Sequence, residues 1–214
     1  MSSADSLISL AQSRRTIYAL GKTPPSSAGD AHLASLLHNA ILHIPSSFNT
    51  QSTRLILLLH SEHDKLWDIA IETFGAGVHN GTIPVDTETW TARTLPKLRG
   101  LRNATGTVLF YEDPAHIEPF VDKFPVYKDH FGAWAEQANA MHQYFLWTGL
   151  EALGFGANLQ HYNPLIDARV AEQWDVPRDW RLVAQLVFGS PEGEPKEKTQ
   201  KPVEERVKIY GMNS

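Results

Sequence analysis

The chain has 214 residues, 42% hydrophobic and 20% charged, with a formal net charge of -5 and a pI near 6.0. That length supports one substantial core and a single domain, and the acidic balance offers no broad basic surface for nucleic acid. With no cysteine, disulfides, thiolate metal sites and thiol nucleophiles are excluded, and the absence of a basic-then-apolar leader or a membrane-length apolar run makes a soluble cytoplasmic protein, with no membrane partner, the expectation.

In chain order, Asp5 to Arg14 reads as a first helix, with Asp5 and Ser6 supplying N-cap chemistry. A Pro-Ser-Gly turn over 23–29 leads to Asp30, which caps a second helix carrying the apolar stripe Leu33, Leu36, Leu37, Ala40 and Ile41 and ending at Ile44-Pro45. Arg54 to His60 is a short continuous apolar run, read as a strand covered on both faces and central in its sheet. Helical patterns follow from Glu62 to about Gly75 and from Asp86 to Arg102, separated by a turn through Gly75, Gly77 and Gly81. Thr105 to Tyr111 is a second buried strand. Ala133 to Leu153 is a long helix with apolar residues on several faces, the pattern of an interior helix. A short helix then opens at Pro164 and Asp167 and ends near Trp174, followed by strands over Trp180–Gly189 and Val207–Tyr210. Ser190 to Arg206, charged and poor in apolar residues, reads by itself as a solvated linker. Strands interspersed with helices in this way imply an α+β sheet flanked by helices rather than a regular doubly wound fold.

Four segments carry recognisable chemistry. The first is Ser13-Arg-Arg-Thr-Ile-Tyr18, the second Pro45-Ser-Ser-Phe-Asn-Thr-Gln51, the third Gly154-Phe-Gly-Ala-Asn-Leu-Gln-His-Tyr-Asn-Pro164, and the fourth Glu204-Glu-Arg-Val-Lys208. Taken singly, each has an ordinary reading: an Arg-Arg pair is usually a solvated helix end, and the Pro-Ser-Ser segment a turn between helix and strand. The pair Gly154 and Gly156 follows a helix and lacks a third glycine, which rules out a dinucleotide-binding turn. His60 and His63 stand three apart without a His-Glu-x-x-His pattern, so a cap or surface pair is favoured over metal. No Gly-x-Ser-x-Gly elbow occurs, which argues against a serine hydrolase.

In this order and spacing the four segments resemble the FMN-dependent nitroreductase family, in particular its compact fungal and bacterial branch. The resemblance implies a three-layer α+β fold, with a central, mostly antiparallel sheet between helices. It also implies one FMN-binding domain over 1–214, an obligate homodimer, and a C-terminal extension over 190–214 that crosses to the partner subunit. Paired guanidinium groups suit a phosphate dianion, so Arg14, Arg15 and Arg206, with the hydroxyl of Thr16, are the candidates for the FMN phosphate. Asn49 and Gln51, two apart and on the same side of an extended segment, are candidates for the pyrimidine edge of the ring, with Ser46 and Ser47 tying down the loop or reaching the ribityl chain. Gly154 to Pro164 reads as a cofactor-facing loop after the long helix, and by resemblance Gly154 to His161 passes one flavin face and directs a main-chain N–H at N5, which makes Asn158, Leu159, Gln160 and His161 cofactor contacts. The sequence departs from the family at Tyr18, where many members carry Lys or Arg.

The implied activity is NAD(P)H-dependent reduction of a nitroaromatic, a quinone or a similar small planar acceptor by a ping-pong scheme, with no protein nucleophile because the cofactor carries the chemistry. Phe48, Tyr162 and the aromatic residues between Phe120 and Trp134 are candidates to line the pocket for that acceptor. A second reading is a flavin-fold protein with a regulatory or ligand-binding role in a lipid or oxidative-stress response and only incidental reductase activity.

Overall fold

The apolar runs pair into a five-stranded sheet, comprising β1 (Leu20–Gly21), β2 (Thr53–Leu59), β3 (Gly106–Glu112), β4 (Gly156–Gln160) and β5 (Arg181–Pro191). The computed structural model describes residues 2–25 and 29–212, so residues 26–28 of the turn read over 23–29 lie outside the described residues. Every ladder is antiparallel: β2 with β3, β3 with β5, β5 with β4, and β1 with the end of β5. Because β3 and β4 pair with the same stretch of β5, they flank it on opposite sides. The helices are α1 (Ser3–Ser13), α2 (Asp30–His43), α3 (His60–His79), α4 (Thr87–Thr89), α5 (Leu95–Arg102), α6 (Glu118–Lys123), α7 (Phe131–Ala152) and α8 (Asp167–Trp174).

Alternation along β3 divides the core in two. Leu109 and Tyr111 face a cluster with Leu66, Trp67, Ile69, Leu98, Leu101, Ile166 and Val170 from α3, α5 and the α8 region. Val108 and Phe110 face Leu33, Leu37, Ala40, Leu146 and Leu150 from α2 and α7. The result is a helix layer on each side of a mostly antiparallel sheet, held by burial of apolar surface on both faces. Among the described residues no helix is long and apolar enough to cross a membrane.

Several elements differ from the sequence reading, each for a physical reason. β2 is an edge strand rather than a central one, since among the described residues it pairs only with β3; an apolar run reports helices above and below, not the number of ladder neighbours. The first helix is capped by Ser2, whose hydroxyl accepts from Asp5 N–H while the Asp5 carboxylate accepts from Ser2 N–H, a capping box one turn earlier than read. Gly75 and Gly77 belong to α3, which runs on to His79, because their missing side chains admit Trp90 and Ile83. The helix read over 86–102 is interrupted by a π turn at Trp90–Thr94. Val207–Tyr210 forms no strand, since among the described residues nothing in its own chain pairs with it. Finally, α7 is not wholly covered within its own chain: Met141 and Tyr144 on its outer face are 43% and 44% exposed.

Candidate functional site

The helix α7 ends in a Schellman motif. Phe155 N–H reaches the Leu150 carbonyl at 3.0 Å and Gly154 N–H the Glu151 carbonyl at 2.8 Å, with Gly154 at φ +88° where a side chain is disfavoured. This cap turns the chain into β4, so the third segment is a strand against β5 rather than a loop. The first segment is fastened along it. Ile17 N–H donates to the Ala157 carbonyl at 3.0 Å, the Asn158 amide donates to the Ile17 carbonyl at 2.8 Å, and Arg15 N–H donates to the Glu151 carboxylate at 3.1 Å.

Asn158 and Gln160 therefore have structural work within the chain. Gln160 donates to the Asn158 carbonyl oxygen at 2.8 Å, and both side chains are buried. What this strand leaves for a ligand is main chain, the half-buried Leu159 and the exposed His161. Beside it the Arg14 guanidinium lies 4.5 Å above the Trp147 ring, and its buried Nε has no hydrogen-bond partner among the described residues. Arg15 donates to the Lys196 carbonyl, and Glu192 N–H to the Ala19 carbonyl at 2.9 Å, so the C-terminal extension starts alongside the arginine segment. Lys196 Nζ sits 5.0 Å from the Tyr18 ring centroid, bringing a cation to the position where the sequence lacks one. Thr16 is half-buried next to Ala157, and Arg206 is exposed in the extension.

The second segment is not extended, as the two-apart argument for Asn49 and Gln51 assumed. It is a 3-10 turn in which Phe48, Asn49 and Gln51 all have left-handed backbone, at φ 54°, 57° and 50°. Such conformations are disfavoured for residues with a side chain and persist where the surroundings over-determine them. Here the surroundings are visible: the Phe48 ring packs against Phe124, Phe131 and Trp134 at centroid distances of 4.9, 5.4 and 5.8 Å, and Ser46 Oγ accepts from Gln51 N–H at 3.0 Å. Arg54 donates to the Gln51 carbonyl at 2.7 Å and pairs with Asp113 at 2.8 Å. Below the turn the buried Glu112 carboxylate accepts from Ser52, Thr53 and Asn139 at 2.6, 2.8 and 2.8 Å. Ser46, Asn49 and Gln51 line a cleft of about 690 Å³ that also includes His116, Phe120 and His142, while Ser47 is half-buried within the turn.

The structure thus brings the first, third and beginning of the fourth segment together at the β4 edge and sets the second at the β2 edge. Three inter-strand steps, about 14 Å, lie between those edges. The two histidines considered for metal point to separate partners: His60 to Asp30 at 3.0 Å, His63 to Thr107 Oγ1 and the Leu101 carbonyl at 2.9 and 3.2 Å. No group of three His, Asp or Glu side chains converges as a metal set among the described residues.

The model of the family described as the Nitroreductase family matches residues 11–190. The chain belongs to the nitroreductase family. It is 30% identical over 200 residues to the nitroreductase FRM2 of Saccharomyces cerevisiae, covering 93% of this chain and 95% of that protein. The solved nitroreductase CinD from Lactococcus lactis, in complex with chloramphenicol, is 37% identical with a TM-score of 0.82, covering 96% of this chain and all of the other. A more distant Desulfovibrio desulfuricans protein in complex with FMN shares the fold at 17% identity and a TM-score of 0.64, covering 97% of this chain and 98% of that one.

Sequence reading of this nitroreductase-family chain missed Glu112, Asn139 and His142. Glu112 carries the one local signal, a charge closing an apolar strand; Asn139 and His142 stand on a mixed helix with no spacing that marks them.

Proposed function

We propose that this nitroreductase-family oxidoreductase is an FMN enzyme that takes electrons from NAD(P)H and passes them to a nitroaromatic, quinone or similarly planar acceptor, working as a homodimer. The observation that carries the cofactor assignment is Arg14. A buried guanidinium nitrogen without a partner, on a side chain stacked over Trp147, is costly unless an anion satisfies it. With Arg15 and Thr16 next to it, the donor set fits a phosphate dianion. When bound, FMN supplies a ring that accepts hydride from the reductant and releases it to the acceptor. The chain's part is to bind and orient: Arg14, Arg15 and Thr16 hold the phosphate, with Arg206 reaching it from the partner's extension, and β4 presents main-chain N–H groups to the ring.

The same geometry supports the dimer. The β2 and β4 strands lie about 14 Å apart across the two central strands, and the 46–51 turn joins the sheet at the opposite end of β5 from Ala157, which argues against both sets of one chain meeting the same ring. A second copy related by a two-fold axis brings the β2-edge loop of one subunit, with Ser46, Ser47, Asn49 and Gln51, to the β4 edge of the other. The exposed Met141 and Tyr144 of α7, and Val207, Ile209 and Tyr210 of the extension, provide apolar surface for that contact.

The test is direct. Purified protein should show visible flavin absorbance, bleach with NAD(P)H and regain colour with menadione, and sedimentation should find a dimer that yields no active monomer on dilution. A colourless preparation that takes up no added FMN refutes the cofactor assignment; a folded monomer that keeps its flavin refutes the shared site.

A further inference from the structure

The cleft at the β2 edge is lined by polar groups beyond the proposed flavin contacts, among them His142. His142 lies near the middle of α7 with only 4% of its surface exposed, and it forms part of the cleft wall. Its Nδ1 is 2.8 Å from the carbonyl of Ala138, one turn earlier. A carbonyl can only accept, so Nδ1 carries the hydrogen, and in the neutral ring Nε2 is a bare acceptor. With Nδ1 turned back to its own helix, the opposite edge of the ring faces away from that helix. Nε2 has no hydrogen-bond partner among the described residues.

The charge state agrees with this geometry. Burial lowers the imidazole pKa, and although the Ala138 bond and the nearby Glu112 carboxylate act against that, the net shift is downward. The other charged or titratable groups of the wall are engaged differently. Arg54 is held by Asp113 and by the Gln51 and Thr53 carbonyls, and His116 lies 3.7 Å from Asp113. Ile41, Ile44 and Phe120 supply apolar wall beside the hydroxyls and amides of the 46–53 segment. A cleft of mixed polarity whose wall includes an unpaired imidazole acceptor suits a ligand that joins a flat ring to a hydrogen-bond donor.

We infer that His142 Nε2 is a selectivity contact in the cleft at the β2 edge, favouring planar ligands that carry a hydroxyl or N–H donor over equally shaped ligands without one. The inference rests on the proposed reductase only for the ligand's redox role; the binding preference stands by itself. Its basis is asymmetric: a ligand with the donor completes the bare nitrogen, and one without it displaces solvent and leaves that nitrogen unpaired, a difference of about tenfold in affinity.

The experiment measures binding without turnover. Oxidised, flavin-loaded protein with no reductant present is titrated calorimetrically with 4-nitrobenzyl alcohol and with its methyl ether, which share the nitroaryl ring and differ in the O–H. Wild type should prefer the alcohol by about tenfold. The preference should fall to about one in His142→Phe and recover in His142→Gln, whose amide oxygen can accept; His142→Leu replaces the phenylalanine variant should that one not fold. Equal affinities in wild type, failure of both ligands to bind, or a preference retained in His142→Phe or His142→Leu would each overturn the inference. Menadione, which has no donor, judges the reductase separately. Wild type that reduces menadione but binds alcohol and ether alike keeps the reductase and loses the His142 contact, and the reverse result does the opposite.

Discussion

His63 makes the stability of this protein depend on pH in a way that can be worked through. The side chain is fully buried, with Nε2–H donating to the Leu101 carbonyl and Nδ1 accepting from Thr107, whose oxygen also accepts from Trp67. Both ring positions are satisfied by the neutral form, and burial pulls the pKa down from 6.5 to about 4. The folded pKa is below the unfolded one, so the unfolded chain binds the proton more readily as pH falls. Stability is therefore fully present above about pH 6.5 and is lost as pH drops toward 4. The shift amounts to about 3 kcal/mol in full, of which about 2 kcal/mol is lost between pH 8 and pH 5. Urea unfolding of wild type and His63→Asn at those two pH values, at one protein concentration, isolates this group from the other titrating residues. The variant should be less stable at pH 8 by about 1–3 kcal/mol, and the gap should close by about 2 kcal/mol at pH 5. A gap of the same size at both pH values would mean that His63 is not held neutral by its surroundings.

Arg206→Ala should weaken FMN binding by about 1.5–3 kcal/mol while leaving the fold intact; titration of apoprotein checks this, and unchanged affinity returns Arg206 to the solvent. Phe48→Ala removes a ring that is 44% exposed, so about half of the 3–5 kcal/mol typical of a buried phenylalanine, roughly 2 kcal/mol, should be lost in chemical denaturation. FMN affinity should fall with it as the strained turn relaxes; wild-type values for both would show that the aromatic cluster does not hold the loop. Gly154→Ala places a side chain at φ +88° with Pro25 3.3 Å from the new Cβ and should destabilise by about 1 kcal/mol, whereas an unchanged unfolding midpoint would contradict the cap described for α7.

Patterns that depend on near neighbours were legible in the sequence. The runs at 105–111 and 180–189, the long helix before Gly154 and the helix-ending Ile44-Pro45 step all appear in the structure, because alternation, helical periodicity and proline act locally. Properties set by distant partners were not. The β2 run looks central because helices cover both its faces, and β4 looks like a loop because Gly156, Asn158 and Gln160 are unusual strand residues whose amides are satisfied by Ile17 and by each other. Gly75 and Gly77 read as turn punctuation, yet their role is to receive Trp90 and Ile83. At the candidate site, the segments themselves were visible, but their division between two sheet edges was not, since that depends on strand order. His142 was invisible for a related reason: its tautomer comes from a carbonyl one turn away, and its surroundings from the 46–54 region and 115–120.

The placement of the arginine segment and the Ser46–Gln51 turn at opposite edges has a genetic consequence. In the proposed two-fold dimer each catalytic centre draws one set from each subunit, so an allele lacking Arg14 and an allele with a ruined 46–51 turn are each inactive alone. Expressed together and assorting at random, half of their dimers are mixed. In a mixed dimer, one centre collects both lesions and the other collects neither. Co-expression should then restore about a quarter of wild-type activity, whereas two alleles damaged on the same edge should never rescue one another.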